Sequence, residues 1–399
     1  MRSVELFAGA GGMGMGLGAA GFEPEMVVEW DSHSCRTLRD NKDRRVQQVA
    51  DWNIVESDAR KVKYDAFRGE IALVSGGPPC QPFSIGGKHK GQADERNMWP
   101  EAARAVRELA PRAFMFENVR GLMRAAFEPY LSYVLLQLRF PEIAPGECEL
   151  WEDHAERLRV VVNDPRAAPP GLTYRVSIHP VDAADYGAPQ KRRRVIIVGF
   201  REDEPAQWMQ PEPTHSQEAL LWDQWISGEY WTRHGISARK RPGMPESVAK
   251  AVERLRVAGQ RPQTQAWQTV RDAFGDLGEP AKVKPKIANH KHQPGARSYA
   301  GHTGSLLDNP AKALKAGAHG VPGGENMLAY ADGAVRYFSV REAARLQGFP
   351  DEYEFPATVA WGETMRQLGN AVPTQLAEAF GTAIAGALRA GQRARRRAA

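Results

Sequence analysis

Residues 3–16 read SVELFAGAGGMGMG, an apolar run of strand length that is followed by a glycine-rich turn and the start of a helix. Gly9, Gly11 and Gly14 stand in G-x-G-x-x-G spacing, which lets a backbone turn tightly and approach a ligand closely. The pattern predicts a βα unit with a nucleotide-type loop. A turn that is rich in glycine for packing alone is the alternative interpretation.

The alternation of strands and helices continues to about residue 200. Apolar runs predict strands at 25–30, 71–75, 113–118, 173–181 and 194–200, and helical patterns occur at 13–20, 31–41 and 99–110. Apolar strands that alternate with helices favour a mostly parallel sheet with both faces covered. We therefore expect an α/β fold for this part of the chain.

An acidic and an aromatic residue follow the second predicted strand. Glu29 ends that strand, and a carboxylate at this place can accept hydrogen bonds from ribose hydroxyls. Trp30 comes next and offers a stacking surface to an adenine ring. With the glycine turn, these residues predict a cofactor that contains a nucleoside but do not identify it. A dinucleotide-dependent dehydrogenase is therefore a serious alternative at this point.

The sequence GGPPCQPFS places Cys80 among Pro78, Pro79 and Pro82, directly after the apolar run IALVS. Proline fixes its own φ and disfavours helix in the preceding residue, so this thiol is predicted to lie on a stiff loop. An open α/β sheet keeps its ligand crevice at the carboxyl ends of its strands. From this stretch alone, a small buried hydrophobic residue is an equally acceptable interpretation of Cys80.

Further polar side chains are predicted to reach the same crevice. Glu117 ends the strand after the one that leads to Cys80, and the run QKRRRV enters another strand. Alternate residues of an extended run share a face, so Gln190, Arg192 and Arg194 are expected to point into the crevice together. A thiol, a carboxylic acid and guanidinium groups suit covalent catalysis on an electrophilic ring, which counts against a dehydrogenase. Taken alone, the basic run is typical of a solvated surface.

Composition indicates an ordinary globular chain. Of its 399 residues, 25% are charged and 42% are hydrophobic. No apolar run approaches the ~18 residues of a membrane span, and the N-terminus lacks the apolar core of a signal peptide. The three cysteines, Cys35, Cys80 and Cys148, are far apart and indicate neither a disulfide framework nor a zinc site. A cytoplasmic location is expected.

Positive charge is concentrated in one part of the chain. Residues 233–315 contain 16 Lys and Arg against 6 Asp and Glu, whereas the remainder holds 37 basic and 42 acidic residues. This asymmetry favours a polyanionic partner, nucleic acid first, over a merely solvated basic surface. Helical periodicity is poor after Phe200 and returns at Ser339, where Glu342 completes a capping-box pattern.

Seven short motifs, taken in order, resemble the DNA cytosine-5 methyltransferases of prokaryotic restriction-modification systems. They are ELFAGAGG (5–12), EWD (29–31), GGPPCQPFS (76–84), ENVRG (117–121), APQKRRR (188–194), REAARLQGFPDEY (341–353) and QLGNAVP (367–373). Each motif alone is weak to moderate, but seven in the family's order are highly specific. The resemblance extends from residue 4 to about 388, apart from a variable insert.

The resemblance implies a Rossmann-like, S-adenosylmethionine-dependent methyltransferase domain with a smaller, irregular target-recognition domain. The catalytic domain would comprise 1–200, completed by 339–390, and the target-recognition domain would comprise 201–338. A basic, disordered tail is expected at 391–399. The stretch 124–171 is long for the family and predicts an extra helical element.

The resemblance also implies the catalytic roles. Cys80, as a thiolate, would attack C6 of a cytosine that is flipped out of duplex DNA, which makes C5 nucleophilic. Glu117 would hold the base at N3 and the exocyclic amine. Arg194, helped by Arg192, would engage O2 and the surroundings of the thiolate. C5 then takes the methyl group of S-adenosyl-L-methionine, S-adenosyl-L-homocysteine remains, and loss of the C5 proton expels Cys80.

For the cofactor, the resemblance implies contacts from thirteen residues. They are Phe7, Ala8, Gly9, Gly11, Gly12, Glu29, Trp30, Asp51, Trp52, Gly77, Pro79, Asn370 and Ala371. Glu29 would bind the ribose and Trp30 would lie on the adenine. Asp51 and Trp52 would border the adenine, although the family more often has a smaller aliphatic residue in place of Trp52.

Two surface regions are expected to meet DNA. The glycine-rich, polar stretch 84–99 is predicted to be a mobile loop that closes over the duplex, with an ordinary exposed loop as the alternative. The basic stretches RKR (239–241), KVKPK (282–286) and NHKHQPGARSYAGHTG (289–304) have the composition of groove-facing loops.

Histidines and tryptophans in the basic region have simpler interpretations. A metal site at His290, His292 and His302 is a minor alternative because acidic and cysteine partners are lacking nearby. We therefore expect no metal. The side chains expected to pack in a core rather than stack on bases are Trp222, Trp225 and Trp231.

The implied partner is double-stranded DNA, with a cognate restriction endonuclease as a further candidate, no membrane, and a monomeric enzyme. Two alternative functions are compatible with the same motifs. A tRNA-methylating relative is disfavoured by the large basic insert. A catalytically silent DNA-binding member is disfavoured by the presence of Cys80, Glu117 and the arginines.

Overall fold

A computed structural model describes residues 1–79, 97–164, 166, 171–205, 207–282, 286–299, 303–316 and 326–398. Within these residues the largest sheet has seven strands, in the order β3-β2-β1-β4-β5-β8-β6. They are β1 (Arg2–Leu6), β2 (Glu23–Glu29), β3 (Ile54–Glu56), β4 (Leu73–Gly76), β5 (Ala113–Val119), β6 (Tyr174–Asp182) and β8 (Arg193–Arg201). The short strand β7 (Gln190–Lys191) precedes β8.

Strands β1 to β5 run parallel to their sheet neighbours among themselves, whereas β8 is antiparallel to both β5 and β6. The predicted α/β fold with a mostly parallel sheet is therefore confirmed. The strand order reverses between β1 and β4. Because the chain leaves these two neighbouring strands in opposite directions, a crevice opens beyond their carboxyl ends. Leu6 and Gly76, the last residues of β1 and β4, are paired at that edge.

Helices cover both faces of this sheet. The first five are α1 (Gly12–Ala19), α2 (Ser32–Asp43), α3 (Trp99–Leu109), α4 (Glu128–Arg139) and α5 (Trp151–Asn163). In β5, Phe114 and Phe116 pack toward α3 and α4, while Ala113 and Met115 pack with α1. Successive side chains of a strand point to opposite faces, so a strand with both faces covered is apolar at consecutive positions.

The long stretch between β5 and β6 contains α4 and α5, which confirms the extra helical element expected in 124–171. Buried His154 of α5 lies 2.9 Å from the Tyr133 hydroxyl and 2.8 Å from the Ile143 carbonyl oxygen. Leu158 packs in the same apolar cluster as Tyr133. Polar and apolar contacts together therefore fix α5 on α4.

Between Phe200 and Ser339 the chain is built mostly from short elements. They are β9 (His215–Ser216), α6 (Gln217–Trp225), α7 (Glu229–Arg233), α8 (Glu246–Ala258), β10 (Gln265–Ala266), α9 (Val270–Phe274), β11 (Ser305–Leu306), β12 (Ala311–Lys312), β13 (Met327–Ala329) and β14 (Val335–Tyr337). Trp231 is buried in a small core with Leu220 and Ala184, and its ring centroid lies 5.5 Å from that of Trp225. These two tryptophans therefore pack as predicted, and Trp222 is half-buried.

This region shares a core with the rest of the molecule. Phe274 and Leu314 lie in one apolar cluster with Trp52 and Leu368, and β12 pairs with β7 in parallel. The region is thus attached to the sheet by packing and by backbone hydrogen bonds. Its predicted limits, 201–338, stay a prediction.

The C-terminal helices are α10 (Val340–Leu346), α11 (Trp361–Asn370) and α12 (Thr374–Ala398). The capping box predicted at Ser339 and Glu342 is present, with backbone-to-side-chain hydrogen bonds of 2.8 and 3.1 Å. Because α12 continues to Ala398, the expectation of a disordered tail is wrong for residues 391–398. Alanine and arginine are strong helix formers, which favours this extension. Among the described helices, none combines the length and apolarity that a membrane crossing demands.

Candidate active site

A cleft of about 490 Å³ lies at the carboxyl edge of the sheet, within the volume range typical of small-molecule sites. Many of the residues predicted from the sequence line it. These are Phe7, Ala8, Gly9, Glu29, Trp30, Gly77, Pro79, Glu117, Arg192, Arg194, Asn370 and Ala371. The cleft therefore brings together side chains from both ends of the chain and from both sides of the strand-order reversal.

The glycine loop between β1 and α1 needs its glycines for close contacts. Gly11 has φ +83°, and a Cβ there would lie 2.8 Å from the indole of Trp52. A Cβ on Gly14 would lie 2.1 Å from Glu5 Oε2. Gly11 packs closely against Trp52 and Gly12 against the backbone of Val372. Their predicted contact with the cofactor stays a prediction.

Glu29 ties the glycine loop to β2. Its carboxylate accepts hydrogen bonds from the backbone N–H groups of Gly9 (2.7 Å), Trp30 (2.9 Å) and Asp31 (2.8 Å). Burial raises the pKa of Glu29, and these three N–H groups oppose that rise. The residue thus holds the loop in shape while it faces the cleft.

Trp30 and Asp31 form the rim on the β2 side. The Trp30 side chain is 72% exposed and lines the cleft, so one indole face is free for a planar ligand. Arg366 of α11 donates to Asp31 Oδ1 at 2.9 Å. Although burial opposes it, hydrogen bonds from Ser34 and the Arg366 guanidinium hold the pKa of Asp31 below its usual range. This ion pair attaches the C-terminal wall of the cleft to the sheet.

The structure does not place Asp51 and Trp52 in the cleft. Trp52 is 4% exposed and lies in the core under the glycine loop, while the Asp51 side chain is 97% exposed and points to solvent. Asp58 lines the cleft instead, directly beyond the carboxyl end of β3. Asp58 follows a parallel strand, and the carboxyl ends of parallel strands share an edge, so its place in the cleft could be inferred from the sequence. The three-residue strand β3 is too short for its end to be recognised from the sequence pattern.

Glu5 is a site residue that sequence reasoning missed. It lies on β1, lines the cleft, and accepts a hydrogen bond of 3.1 Å from Gly14 N through Oε1. Burial raises the pKa of Glu5 to about 8, and nearby Glu29 adds to this rise against the Gly14 hydrogen bond. Glu5 Oε2 has no hydrogen-bond partner among the described residues.

An acid–arginine pair forms the other half of the cleft. Glu117 on β5 and Arg194 on β8 stand on neighbouring antiparallel strands, and Arg194 Nε lies 2.6 Å from Glu117 Oε1. The adjacent Asn118 donates through Nδ2 to the Pro78 carbonyl at 3.0 Å. This bond fixes the double-proline turn next to the pair.

Arg192 lines the cleft but its guanidinium is bound to the backbone. Nη1 donates to the Leu314 carbonyl at 3.0 Å and Nη2 to the Gly369 carbonyl at 2.6 Å. Burial lowers the pKa of Arg192, as does nearby Arg194, whereas Glu117 opposes the change. Both Nη atoms therefore already have protein partners, whereas Nε has no hydrogen-bond partner among the described residues. The expected help of Arg192 at the base stays a prediction.

Gln190 does not point into the cleft with the arginines. Its side chain is buried and donates to the Leu346 carbonyl at 2.7 Å. The extended run is interrupted at Arg192, whose backbone N–H donates to Asp182 Oδ1 at 2.8 Å instead of continuing a strand. Because the alternation of faces requires an unbroken strand, the predicted common face of the three side chains is wrong.

Cys80 and the remainder of 80–96 lie outside the described residues, and so does most of the loop predicted at 84–99. The residues that flank this segment are described. Pro79 lines the cleft, and its carbonyl accepts a hydrogen bond from Met98 N at 3.4 Å. Both ends of the segment therefore meet at the cleft, beside Gly77 and Glu117.

The basic region is described only in part. His302 and most of the run KVKPK lie outside the described residues. His290 is buried, with its ring nitrogens 2.9 Å from Ser339 Oγ and 3.2 Å from the Gly278 carbonyl. In the described part of the chain, no group of three or more His, Cys, Asp or Glu side chains is arranged to hold a metal. Arg239 and Lys240 are exposed.

The chain matches the family model for C-5 cytosine-specific DNA methylase over residues 1–140 and 170–386, and the unmatched gap contains α5. It is similar to the Type II methyltransferase M.NgoMIV of Neisseria gonorrhoeae, with 30% identity over 391 residues that cover 97% of this chain and 98% of that protein. It is also 30% identical over 391 residues to the Type II methyltransferase M.PspPI of Psychrobacter sp. (strain TA137), covering 96% and 78% of the two chains.

Solved structures have the same fold. One is a putative DNA modification methyltransferase encoded within a prophage of E. coli, with a TM-score of 0.54, 22% identity, and coverage of 98% of this chain and 99% of that one. Another is a DNMT2 mutant of Spodoptera frugiperda, with a TM-score of 0.54, 12% identity, and coverage of 96% and 99%. At these identities the likeness concerns the arrangement of the backbone.

Proposed function

This chain belongs to the family of C-5 cytosine-specific DNA methylases and is a DNA (cytosine-5) methyltransferase, and we propose that it acts on a flipped-out cytosine through a covalent bond between Cys80 and C6. S-adenosylmethionine-dependent methylation of cytosine is the reaction of this family, and its relatives named above are Type II methyltransferases. Beyond the reaction of the family, we propose that the target base is flipped out of the duplex, that Cys80 is the nucleophile, and that individual residues have the roles given below.

One observation carries this proposal: a single cleft joins a nucleoside-binding half to an acid–arginine half. Glu29 and Trp30 stand on one side, and Glu117 and Arg194 stand on the other. Pro79, which directly precedes Cys80 in the sequence, lies between them in the wall. A group transfer between a cofactor and a base requires this adjacency, because the reacting atoms must meet in one enclosed space.

S-adenosylmethionine fits the nucleoside half. Glu29 and Asp58 supply carboxylates, Trp30 supplies an exposed indole face, and the backbone at Gly9 approaches closely. The carboxylates of this wall attract the positive charges of S-adenosylmethionine and repel a pyrophosphate, which counts against a dinucleotide. Asn370 would close the site from the C-terminal side. When bound, S-adenosylmethionine supplies the methyl group that C5 of the base takes.

The acid–arginine half fits a cytosine ring. We assign Glu117 to N3 and the exocyclic amine, and Arg194, held beside it, to O2. Extruding a base from a duplex costs a few kcal/mol, and contacts with its Watson–Crick edge offset that cost. The Glu117–Arg194 contact of 2.6 Å sets both groups in place before the base arrives.

Cys80 is the proposed nucleophile. Its thiolate attacks C6, the S–C6 bond forms, and the electron pair of the C5–C6 double bond becomes available at C5. Glu117, protonated in the complex with the base, donates its proton to N3, which takes up the negative charge, and recovers that proton when the S–C6 bond breaks. After C5 has been methylated, its proton is lost to a solvent base, the double bond re-forms and the S–C6 bond breaks. The Arg194 cation favours the thiolate, since nearby positive charge lowers the pKa of a cysteine.

Duplex DNA is the proposed substrate, and 201–338 is the proposed recognition domain, because the surplus of basic residues in 233–315 lies within it and suits phosphates. We further propose that the protein acts as a monomer in the cytoplasm. A cognate endonuclease that cuts the same site would be its companion. The C-terminal helix also carries Arg395, Arg396 and Arg397 in its last turn.

A covalent trap tests the mechanism. The wild-type protein and Cys80→Ser are mixed with S-adenosylmethionine and duplexes that contain 5-fluorocytosine, and the products are analysed by denaturing gels and mass spectrometry. Because fluorine cannot leave as a proton does, the wild type should remain bonded to the DNA and the variant should not. A trapped tRNA with free duplex would favour the RNA-modifying alternative. A wild type that binds cofactor but traps neither would contradict the proposed chemistry, and binding of NAD in a fluorescence titration would revive the dehydrogenase.

A further inference from the structure

Arg192 connects three parts of the chain that are far apart in sequence. Its guanidinium binds the carbonyl of Leu314, which is 122 residues away, and that of Gly369, which is 177 residues away. Its backbone N–H binds Asp182 at the end of β6. The side chain is 1% exposed. A planar fork that serves two carbonyls in fixed directions holds both segments in one relative position.

The first of these segments is the return of the basic region to the sheet, residues 311–316. Its strand β12 pairs with β7, so that Ala311 faces Gln190. Further along, the N–H of Leu314 donates to Gln190 Oε1 at 3.3 Å and its carbonyl accepts from Arg192. Both backbone polar groups of the buried residue Leu314 are therefore held by side chains from the stretch 190–192 that leads to Arg194.

The second segment is the last turn of α11, which forms the C-terminal wall of the cleft. A Cβ on Gly369 would lie 2.4 Å from Ala316 N and 2.5 Å from the Lys315 carbonyl carbon, so the two backbones touch. Asn326, which is fully buried, accepts from Lys315 N and donates to its carbonyl, each at 2.9 Å. The return of the basic region thus lies directly against the residues that line the cleft.

We propose that Arg192 is a positioning residue that sets the register of the recognition region on the catalytic cleft, and that it thereby determines how well the enzyme discriminates its target sequence from near matches. This role rests on the proposed function. It gives Arg192, besides the help expected at the base, an indirect action through Leu314 on the recognition side and through Gly369 on the cofactor side.

Base flipping depends on the geometry of the complex and not on the stability of the protein alone. Productive flipping requires that DNA contacts and the base pocket agree in position, and a displacement of about 1 Å costs on the order of 100-fold in rate. If Leu314 is held less firmly, the methylation rate should therefore fall more at the target sequence, where the register is exact, than at near matches. Phosphate contacts, which supply much of the affinity, carry no sequence information, so affinity should change less than discrimination.

Arg341 provides a control for loosening the recognition region away from the cleft, because its carbonyl partners include Ala288, which belongs to 201–338. It is also fully buried and also donates to backbone carbonyls, those of Ala288 (3.1 Å), Pro350 (3.0 Å) and Tyr353 (3.0 Å). It does not line the cleft. Arg192→Lys and Arg341→Lys both replace a fork by a point charge and leave buried carbonyls without donors. They should therefore cost similar stability and differ in specificity.

The experiment measures discrimination by internal competition. Wild type, Arg192→Lys and Arg341→Lys methylate amplified, unmethylated genomic DNA, and bisulfite sequencing gives the initial rate at the preferred site and at each single mismatch. The ratio of these rates does not depend on the fraction of folded enzyme. We expect the ratio to fall about tenfold or more in Arg192→Lys and to stay within about twofold in Arg341→Lys. A tenfold fall is comparable to the loss of affinity that a single mismatched base pair causes. Duplex affinity, measured by fluorescence anisotropy, should change less than about threefold in both.

Gly369→Ala tests the same contact from the other side, should Arg192→Lys fail to fold. Its added methyl group would push against Ala316, so the ratio should fall as well, whereas Gly362→Ala of the same helix meets open space and should leave it unchanged. An unchanged ratio in Arg192→Lys or Gly369→Ala, or an equal fall in Arg341→Lys, would overturn the proposal. A wild type that methylates no cytosine would reject the proposed function and this role with it.

Discussion

The sheet and the region from 201 to 338 are built on different principles. Strands of the sheet reach nine residues in β6 and β8, whereas β9, β10, β11 and β12 have two residues each. The sheet is held by continuous apolar layers on both faces. The second region is held by a small aromatic core of its own, by ion pairs such as Arg271–Asp308 at 2.6 Å, and by an apolar cluster that it shares with the rest of the molecule.

This difference indicates a division of labour. Reacting groups on long, paired strands are fixed to within the small tolerance that chemistry allows. Short elements joined by loops can exchange surface residues without disturbing that geometry, which suits a region that reads DNA. The contrast predicts that equivalent changes in the two regions alter different quantities.

The largest difference is expected for two carboxylates that each pair with an arginine. Glu117→Gln removes the acid of the cleft and should lower the methylation rate at saturating DNA and cofactor by about 10²-fold or more. Asp308→Asn removes the partner of Arg271 and should leave the rate within about threefold, while it lowers the melting temperature. Rates are measured by transfer of a labelled methyl group, normalised to the folded fraction of each variant from its thermal unfolding curve. Comparable loss of rate in both variants would break the distinction between the regions.

Close packing gives the next contrast. A Cβ on Gly14 would overlap Glu5 and Trp52, whereas Gly18 of the same helix and Gly243 of the second region meet nothing within 4 Å. Gly14→Ala should therefore lose about 1–3 kcal/mol of unfolding free energy and bind S-adenosylhomocysteine more weakly. Gly18→Ala should gain up to about 1 kcal/mol, because glycine is unfavourable within a helix. Chemical denaturation and calorimetric titration measure both quantities.

In the second region, Gly243→Ala should leave both quantities nearly unchanged, since the position is exposed and in open space. A loss at Gly243 as large as that at Gly14 would mean that the second region is also packed to close tolerance. Equal effects at Gly14 and Gly18 would instead show that the loop can adjust to an added methyl group.

The sheet could be predicted from the sequence for a physical reason. Apolar runs such as IALVS and AFMF are local signals, and the order of strands and helices follows from them. The cleft residues at strand ends, Glu29 and Glu117, were found because the carboxyl ends of parallel strands meet at one edge.

Other site residues depend on contacts that no local pattern encodes. Asp51 was predicted from the resemblance, and Asp58 was missed because the end of the three-residue strand β3 has no clear signal in the sequence. Arg192 resembles Arg194 in sequence, yet its partners are more than 100 residues away. Gln190 turns away from the cleft because the run breaks at Arg192. In the second region, short elements leave little periodicity to interpret.

A smaller contrast concerns pH. Because burial raises the pKa of Glu5 to about 8, the folded protein holds a proton that the unfolded chain releases near its ordinary pKa of 4.5. Stability from this group is complete below about pH 4.5 and declines as the pH rises toward 8, by at most about 1.4 kcal/mol per pH unit. Glu5→Gln should flatten that decline in urea unfolding measured from pH 5 to 8 without cofactor. A decline of equal slope in the variant would assign it to other groups.

The smallest effect is expected for an exposed acid of the second region, and it has the opposite sign. A side-chain hydrogen bond from Arg345 holds the pKa of Asp276 below its usual range. Its contribution is therefore present above the unfolded pKa of 3.8 and is lost as the pH falls through the lower folded value. The Asp276 side chain is 76% exposed, so solvent screens the pair. Asp276→Asn should shift the urea midpoint slightly at pH 7 and not at all near pH 2, whereas a shift that grows toward pH 8 would place Asp276 with Glu5 and remove this contrast between the two regions.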